Sequence, residues 1–258
     1  MKKTIFLFVL LISVLTGCGF FDDNDKIVIG IDDDFAPISF RDEKNEIVGF
    51  DIDLAKETAR RMGVAVEFKP IGWDKKKEEL TSGNVDLIWN GLDITEERKE
   101  YMIFSKSYME DRQIILIRTD SDFKIHSEYD LEGKIIGVQA GSSSDDYINK
   151  NEKLKKSFKD YKIYSKFTEV INALKNEEIE VIVCDEMVAR YEMNKNPDCL
   201  KIINVKIGSI FDMAIGFRKD KVALRDKVQK VFDEMIKDGT AQDISEKWFN
   251  ADLIKSRI

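Results

Sequence analysis

The chain has 258 residues, of which 43% are hydrophobic and 10% aromatic, with three prolines and a formal net charge of −8. That is enough apolar material for one large domain or two ordinary ones. The acidic balance, with no basic stripe interleaved with aromatics, excludes nucleic acid as a partner and suits a cationic or zwitterionic small ligand.

The N-terminus reads as an export signal. Met1-Lys2-Lys3 is a basic start, and Ile5 to Leu15 is apolar. That stretch is shorter than the roughly 20 residues a membrane-spanning helix needs. It ends in Leu15-Thr16-Gly17-Cys18, which resembles a bacterial lipobox. The resemblance implies removal of residues 1–17, diacylation of Cys18 with palmitate among the acyl chains, and a lipidated tether over residues 18–26. The mature protein is then expected on the outer face of the cytoplasmic membrane, facing the periplasm or the medium. An ordinary secretory signal with a chance cysteine is the alternative.

Next, Lys26 to Ile31 reads as a buried strand, followed by an Asp-rich loop with Pro37 and a short extended piece at Ile47 to Phe50. Asp51 is expected to cap a helix whose apolar face is Ile52, Ala55, Ala59 and Met62, with Gly63 as its stop. Val64 to Phe68 is a strand. Trp73-Asp74 opens a charged helix ending at Gly83, and Val85 to Trp89 is a third strand. After the turn at Asn90-Gly91, Thr95 has N-cap chemistry for a short helix that carries Arg98.

A second unit runs from about residue 112 to residue 207. It comprises a strand at Gln113 to Arg118, a strand at Lys134 to Val138, the turn Gln139-Ala140-Gly141-Ser142-Ser143-Ser144 into a helix, and a strand at Lys162 to Phe167. A helix from Thr168 and the strand Val181-Ile182-Val183, ending in Cys184-Asp185, complete it. The chain then returns through a strand at Ala214 to Phe217, a helix capped by Asp220 with Leu224, Val228, Val231, Phe232 and Met235 on one stripe, and a last helix from Thr240. Strands alternating with helices predict parallel sheets with crossover helices. Two such units and a C-terminal return predict an α/β protein of two lobes joined by two crossing segments, near Tyr108–Gln113 and Val205–Asp212.

The candidate site residues fall where ligands gather in such sheets, just past the C-terminal ends of strands. The small turn before the helix at Ser143 offers backbone N–H groups and the hydroxyls of Ser142 and Ser143 to an anion, or plain helix capping. Arg98 suits bidentate recognition of a carboxylate, or pairs with an acid on its own helix. Asp185 and Asp93 can hold an ammonium; Asp185 can equally be an N-cap. Phe35 and Trp73 stand in polar loops beside Asp32 and Asp74, which suits stacking on a ligand. Taken together, these opposite charges match a free amino acid. No Cys-x-x-Cys or histidine cluster suggests a metal, no cofactor is expected, and the one histidine, His126, reads as solvated.

The segments Ile29–Phe40, Glu46–Val64, Asn84–Tyr108, Leu131–Tyr147, Val181–Tyr191, Leu224–Thr240 and Glu246–Phe249 resemble, in order, those of the solute-binding proteins of polar amino acid ABC importers (family 3). The resemblance implies a type II periplasmic-binding-protein fold that closes about a hinge. Lobe 1 would take residues 27–110 and 209–258, and lobe 2 residues 111–208. Arg98 would clamp the α-carboxylate with Ser142 and Ser143. Asp185 would hold the α-ammonium with the Gly91 carbonyl and position 93. Phe35 and Trp73 would flank the ligand side chain, and Asp32, Asn90 and Gln139 would line its far end. A monomer that delivers its ligand to an ABC permease in the cytoplasmic membrane is implied.

Three departures stand out. Position 93, usually Ser or Thr, is Asp, which like Gln139 resembles the arginine-binding branch. Met213 replaces a frequent aromatic. The run Asp74-Lys75-Lys76-Lys77-Glu78-Glu79 is more charged than usual and is expected to be a solvated face on a looser lobe. The acids disfavour glutamate and aspartate and favour arginine, then lysine or ornithine, with glutamine, histidine or cystine as alternatives. A dehydratase-like enzyme is a remote alternative, because no nucleophile–base pair is visible. A sensor domain is another, expected to continue into a membrane helix unless it is detached.

Overall fold

The computed structural model describes residues 26–255, so the leader, Cys18 and nearly all of the tether lie outside the described residues. The chain opens with β1 (Lys26–Ile31), β2 (Asp34–Phe35), β3 (Ser39–Arg41) and β4 (Ile47–Val48). Then come α1 (Phe50–Met62), β5 (Ala65–Pro70), a 3-10 turn at Trp73–Lys75 leading into α2 (Lys76–Thr81), β6 (Leu87–Ile88), α3 (Glu96–Lys99) and β7 (Met102–Phe104). The second unit has β8 (Met109–Arg118), β9 (Ile135–Gln139), α4 (Ser143–Lys150), α5 (Glu152–Ser157), β10 (Asp160–Tyr164), α6 (Phe167–Lys175), β11 (Val181–Asp185) and α7 (Glu186–Lys195). The return is β12 (Leu200–Met213), β13 (Gly216–Arg218), α8 (Val222–Lys237) and α9 (Thr240–Phe249).

Two five-stranded sheets organise the lobes, in the orders β5-β1-β6-β13-β7 and β10-β9-β11-β8-β12. In the first, β1 runs parallel to β5 and β6, and β13 is antiparallel to both β6 and β7. In the second, β9 runs parallel to β10 and β11, and β8 is antiparallel to β11 and β12. The interior strands β11 and β8 are covered on both faces, which explains the unbroken apolar runs Val181-Ile182-Val183 and Ile114-Ile115-Leu116-Ile117, all at most 1% exposed. In the first lobe the α1, α8 and α9 helices pack together and close the core around Trp89, Phe217, Val228 and Phe232.

The chain crosses between lobes twice, and the crossings pair with each other. In β8 and β12, Met109 lies opposite Met213, Asp111 opposite Phe211 and Arg112 opposite Ile210, with register shifts between Ile203 and Ile207 and again between Ile207 and Ile210. The boundaries expected at residues 110/111 and 208/209 fall inside these strands. Such irregularities bend and twist a strand pair.

Two expected caps, and the capping alternative at Asp185, differ in the structure. Asp51 is not the N-cap of α1; Gly49 is, and Asp51 lies inside the helix with its carboxylate buried. Lys221, not Asp220, precedes α8, and Asp220 pairs with Arg218 instead. Asp185 occupies the cap position of α7, but its side chain makes no capping bond. Cys184 is buried and Cys199 exposed, and both are free.

Candidate functional site

A narrow, largely closed pocket lies in the cleft between the lobes. The first lobe lines it with Asp32 and Phe35 after β1, Trp73 after β5, and Asn90, Gly91, Asp93 and Arg98 after β6; the second with Gln139, Ser142 and Ser143 between β9 and α4, and Asp185 at the end of β11. The structure therefore brings together all eleven residues singled out in the sequence. The convergence follows from topology, since each one ends or follows a strand pointing at the cleft.

Arg98 is placed by its helix. The Thr95 hydroxyl accepts from the Arg98 N–H at 3.2 Å and caps α3. The guanidinium turns inward, 3% exposed. It does not pair with an acid of its own helix. Its Nη1 donates to the Asp93 carbonyl at 2.9 Å, and its Nη2 lies 3.9 Å from Asp146 of α4, across the cleft. Its Nε is buried without a partner.

The acids are equally enclosed. The Asp32 carboxylate accepts from the Asp34 N–H at 3.0 Å and from the Gln139 amide across the cleft. Burial outweighs those bonds and pushes its carboxyl up to about 6. Asp93 accepts from the Ser143 hydroxyl. Burial, with the nearby Asp185 charge, pushes its carboxyl up to about 7. Asp185 accepts from Gln113 Nε2, and burial raises it also. Asn90 spends its carbonyl oxygen on the Asp32 N–H and the Ser39 hydroxyl, which fixes the loop. Ser142 caps α4 by accepting from the Asp145 N–H at 3.1 Å, which leaves its own O–H free to donate.

Both aromatics pack as well as line the cavity. Phe35 meets Phe167 of the other lobe edge-on, 5.8 Å between centroids. Trp73 is 7% exposed, and Lys76 Nζ lies 5.0 Å from its ring centre.

Two supporting residues depart from the sequence expectation. Asp51 accepts from the Gly91 N–H at 2.6 Å and from the Tyr108 hydroxyl, so it holds the loop where Gly91 takes φ +54°. The sequence reading makes this acid a helix cap. Lys76 is the exception in the charged run, whose Asp74, Lys75, Lys77 and Glu78 are exposed as expected: it is 6% exposed and donates to the carbonyls of Trp73 at 3.1 Å and Gly141 at 2.7 Å. Burial, then the Arg98 charge, pulls its ammonium down to about 7. Gly141 tolerates this approach because it has no side chain: at φ +68°, a Cβ there would lie 3.0 Å from the Asp74 backbone.

With Gln139 on Asp32, Ser143 on Asp93, Lys76 on Gly141 and Thr168 on Asp34, the lobes meet across the cleft, so this is a closed form. Three carboxylates and one guanidinium line the cavity. Such an arrangement can take a ligand with a carboxylate at one end and more than one positive charge elsewhere.

The profile of the family described as bacterial extracellular solute-binding proteins, family 3, matches residues 27–251. The arginine-binding extracellular protein ArtP of Bacillus subtilis is 30% identical and covers 98% of this chain and 100% of its own. The L-cystine-binding protein TcyJ of Escherichia coli is 28% identical over 90% of this chain and 86% of its own. An ABC uptake transporter substrate-binding protein from Streptococcus pneumoniae, solved with bound histidine, superposes with a TM-score of 0.84 at 36% identity, over 90% of this chain and 96% of its own.

Proposed function

The chain belongs to the bacterial extracellular solute-binding proteins of family 3, and we propose that it binds arginine outside the cytoplasm and hands it to an ABC permease. Lysine and ornithine come next in preference. The observation that carries this reading is the excess of buried carboxylates over the single guanidinium in the cavity. An apolar or acidic ligand side chain would leave Asp32 and Asp93 desolvated without a counter-charge, which is costly.

In this reading Arg98 takes the α-carboxylate, with the free hydroxyl of Ser142 and the N-terminus of α4 beside it. Asp185 and Asp93 take the α-ammonium, and Phe35 and Trp73 flank the side chain that reaches Asp32, Asn90 and Gln139. Residues 27–110 with 209–258 close on residues 111–208, and contacts made only when closed draw the population toward that form. The ligand leaves unchanged; no turnover is proposed. The protein acts as a monomer, tethered by a lipidated Cys18 at the outer face of the cytoplasmic membrane.

A second reading is favoured by one contact. Gln139 already donates to Asp32, which offsets part of its charge and would let a neutral polar side chain, such as that of glutamine, histidine or cystine, fill the far end. Calorimetric titration decides between them. Protein freed of carried-over ligand by unfolding and refolding is titrated with arginine, lysine, ornithine, histidine, glutamine and cystine. Tight binding of the cations alone supports the first reading; tight binding of a neutral amino acid with the cations silent replaces it with the second.

A further inference from the structure

Behind the cavity wall stands a carboxylate with no part in the site described so far. Asp111, on β8, is 4% exposed. It, Asp93 and Asp185 each offer a carboxylate oxygen, and the three oxygens lie within 4.8 Å of one another. The sheet places them so. Asp185 pairs with Gln113 across β11 and β8, and the two-residue period of a strand puts Asp111 on the same face as Gln113. The Gln113 amide then spends one N–H on Asp111, at 2.8 Å, and one on Asp185. Its carbonyl oxygen accepts from Ser144, so Gln113 has nothing further to give.

Among the described residues, one oxygen of Asp93 and one of Asp111 receive no donor, although both are buried. Few charges face the cluster. From α3 comes Arg98, already committed to the Asp93 carbonyl. From α4 comes Asp146, 3.9 Å from that guanidinium. From the end of the first lobe comes Tyr108, whose hydroxyl bonds to Asp51; the Cys184 thiol, next to Asp185 on β11, lies on the opposite face of the sheet, in the core with Ile114. Arg112, next along β8, pairs with Glu186. Lys76 stands farther off, against Trp73 and Gly141. One guanidinium therefore faces three enclosed carboxylates, which cannot all ionise at such separations without a further positive charge.

We propose that Asp93, Asp111 and Asp185 form a single ammonium clamp, and that Asp111 carries the proton which the incoming α-ammonium of the ligand displaces. This rests on the amino acid reading above. An ammonium brings three N–H donors and one positive charge, which matches two unsatisfied oxygens, on Asp93 and Asp111, and three carboxylates short of counter-charge. The balance is simple: the empty protein with one clamp proton takes up the ligand and releases that proton to water, and no covalent bond changes. Burial first, then Asp185 and Asp93, push the Asp111 carboxyl well above the usual carboxylate range, which keeps it protonated when the clamp is empty. Asp111 also lines the groove on the outer side of the crossing strands, with Met109, Arg112 and Glu186, which offers the proton a way out.

The test is calorimetric titration of arginine into the purified full chain in phosphate and in Tris, which differ in ionisation enthalpy, at pH 6.5 and pH 8, with wild type, Asp111→Asn and Asp111→Glu. The wild type should release about one proton per arginine at pH 6.5. Asp111→Asn should lower that release, what remains coming from Asp93 and Asp32, and weaken the pH dependence of Kd, and Asp111→Glu should restore both. Thermal unfolding of each variant checks the fold, and the restoring glutamate separates loss of the carboxylate from loss of packing. Equal heats in the two buffers for wild type, or the same proton release from Asp111→Asn as from wild type, overturns the proposal. So does tight binding of calcium or manganese by the empty protein that competes with arginine, because the clamp would then belong to a metal. If no amino acid gives heat with wild type, the parent reading fails instead.

Discussion

Lys76 reaches across the cleft and donates from its ammonium to the carbonyl of Gly141, 2.7 Å away. The first lobe thereby holds the turn that precedes α4 in the second. The bond exists only when the lobes are together, so it biases the closed form. Lys76→Met keeps the stem and removes the bond. It should raise the open fraction and weaken ligand binding by about 1–2 kcal/mol. Small-angle scattering of the liganded protein, with Kd by calorimetry, checks this; an unchanged open fraction and Kd would assign Lys76 to packing on Trp73 alone.

On the proposed reading, Arg98→Ala leaves the ligand carboxylate without its guanidinium, in a place sealed from water. The loss should be about 3–5 kcal/mol, or two to four decades in Kd. A change below about threefold would show that Arg98 only ties the Asp93 loop to its helix.

Asp32→Asn tests the far end of the cavity. It should cost a cationic ligand much more than a neutral one, because only the former uses the charge. Parallel titration with arginine and glutamine measures the difference, and equal losses would remove Asp32 from specificity.

Asp51 predicts a pH effect on stability. Complete burial pushes its carboxyl up to about 7, against bonds from Gly91 and Tyr108 that pull it down. A folded value above the unfolded one means the folded protein holds the proton more tightly. The stabilisation is full below about pH 4 and fades as pH rises through about 7. The empty protein should therefore melt lower at pH 8 than at pH 5. Asp51→Asn should remove up to about 3 kcal/mol of that dependence. Melting curves at the two pH values decide it, and identical slopes for both proteins would sink the idea.

Much of this architecture was legible in the chain, because strand–loop–helix units declare where strands end and site residues sit at those ends. All eleven singled-out residues line one cavity for that reason. What was not legible depended on neighbours distant in sequence. Asp51 has the composition of a cap and sits beside the start of α1, yet its role comes from Gly91, forty residues on. Lys76 lies in a run of charges, and a run does not reveal that one member turns inward beneath Trp73. Asp111 and Gln113 become one unit with Asp185 only through the antiparallel register of β8 and β11. The departures at Asp185 and Asp220 share a cause: a carboxylate beside a helix start caps it only when no better partner is in reach.

The pairing of β8 with β12 makes the two crossings one ribbon, so the lobes share a single axle where two separate tethers would have allowed several motions. A rotation moves atoms in proportion to their distance from its axis. Asp111 and Gln113 lie on that axle and Asp185 is bonded directly to it, whereas Arg98 and Ser143 stand out along the arms. Asp185, with Asp111 and Gln113 behind it, is thus the part of the site that a swing about this axle moves least. The rest of the site is put together by the swing itself, and a ligand seated first at the axle would pull the arms in after it.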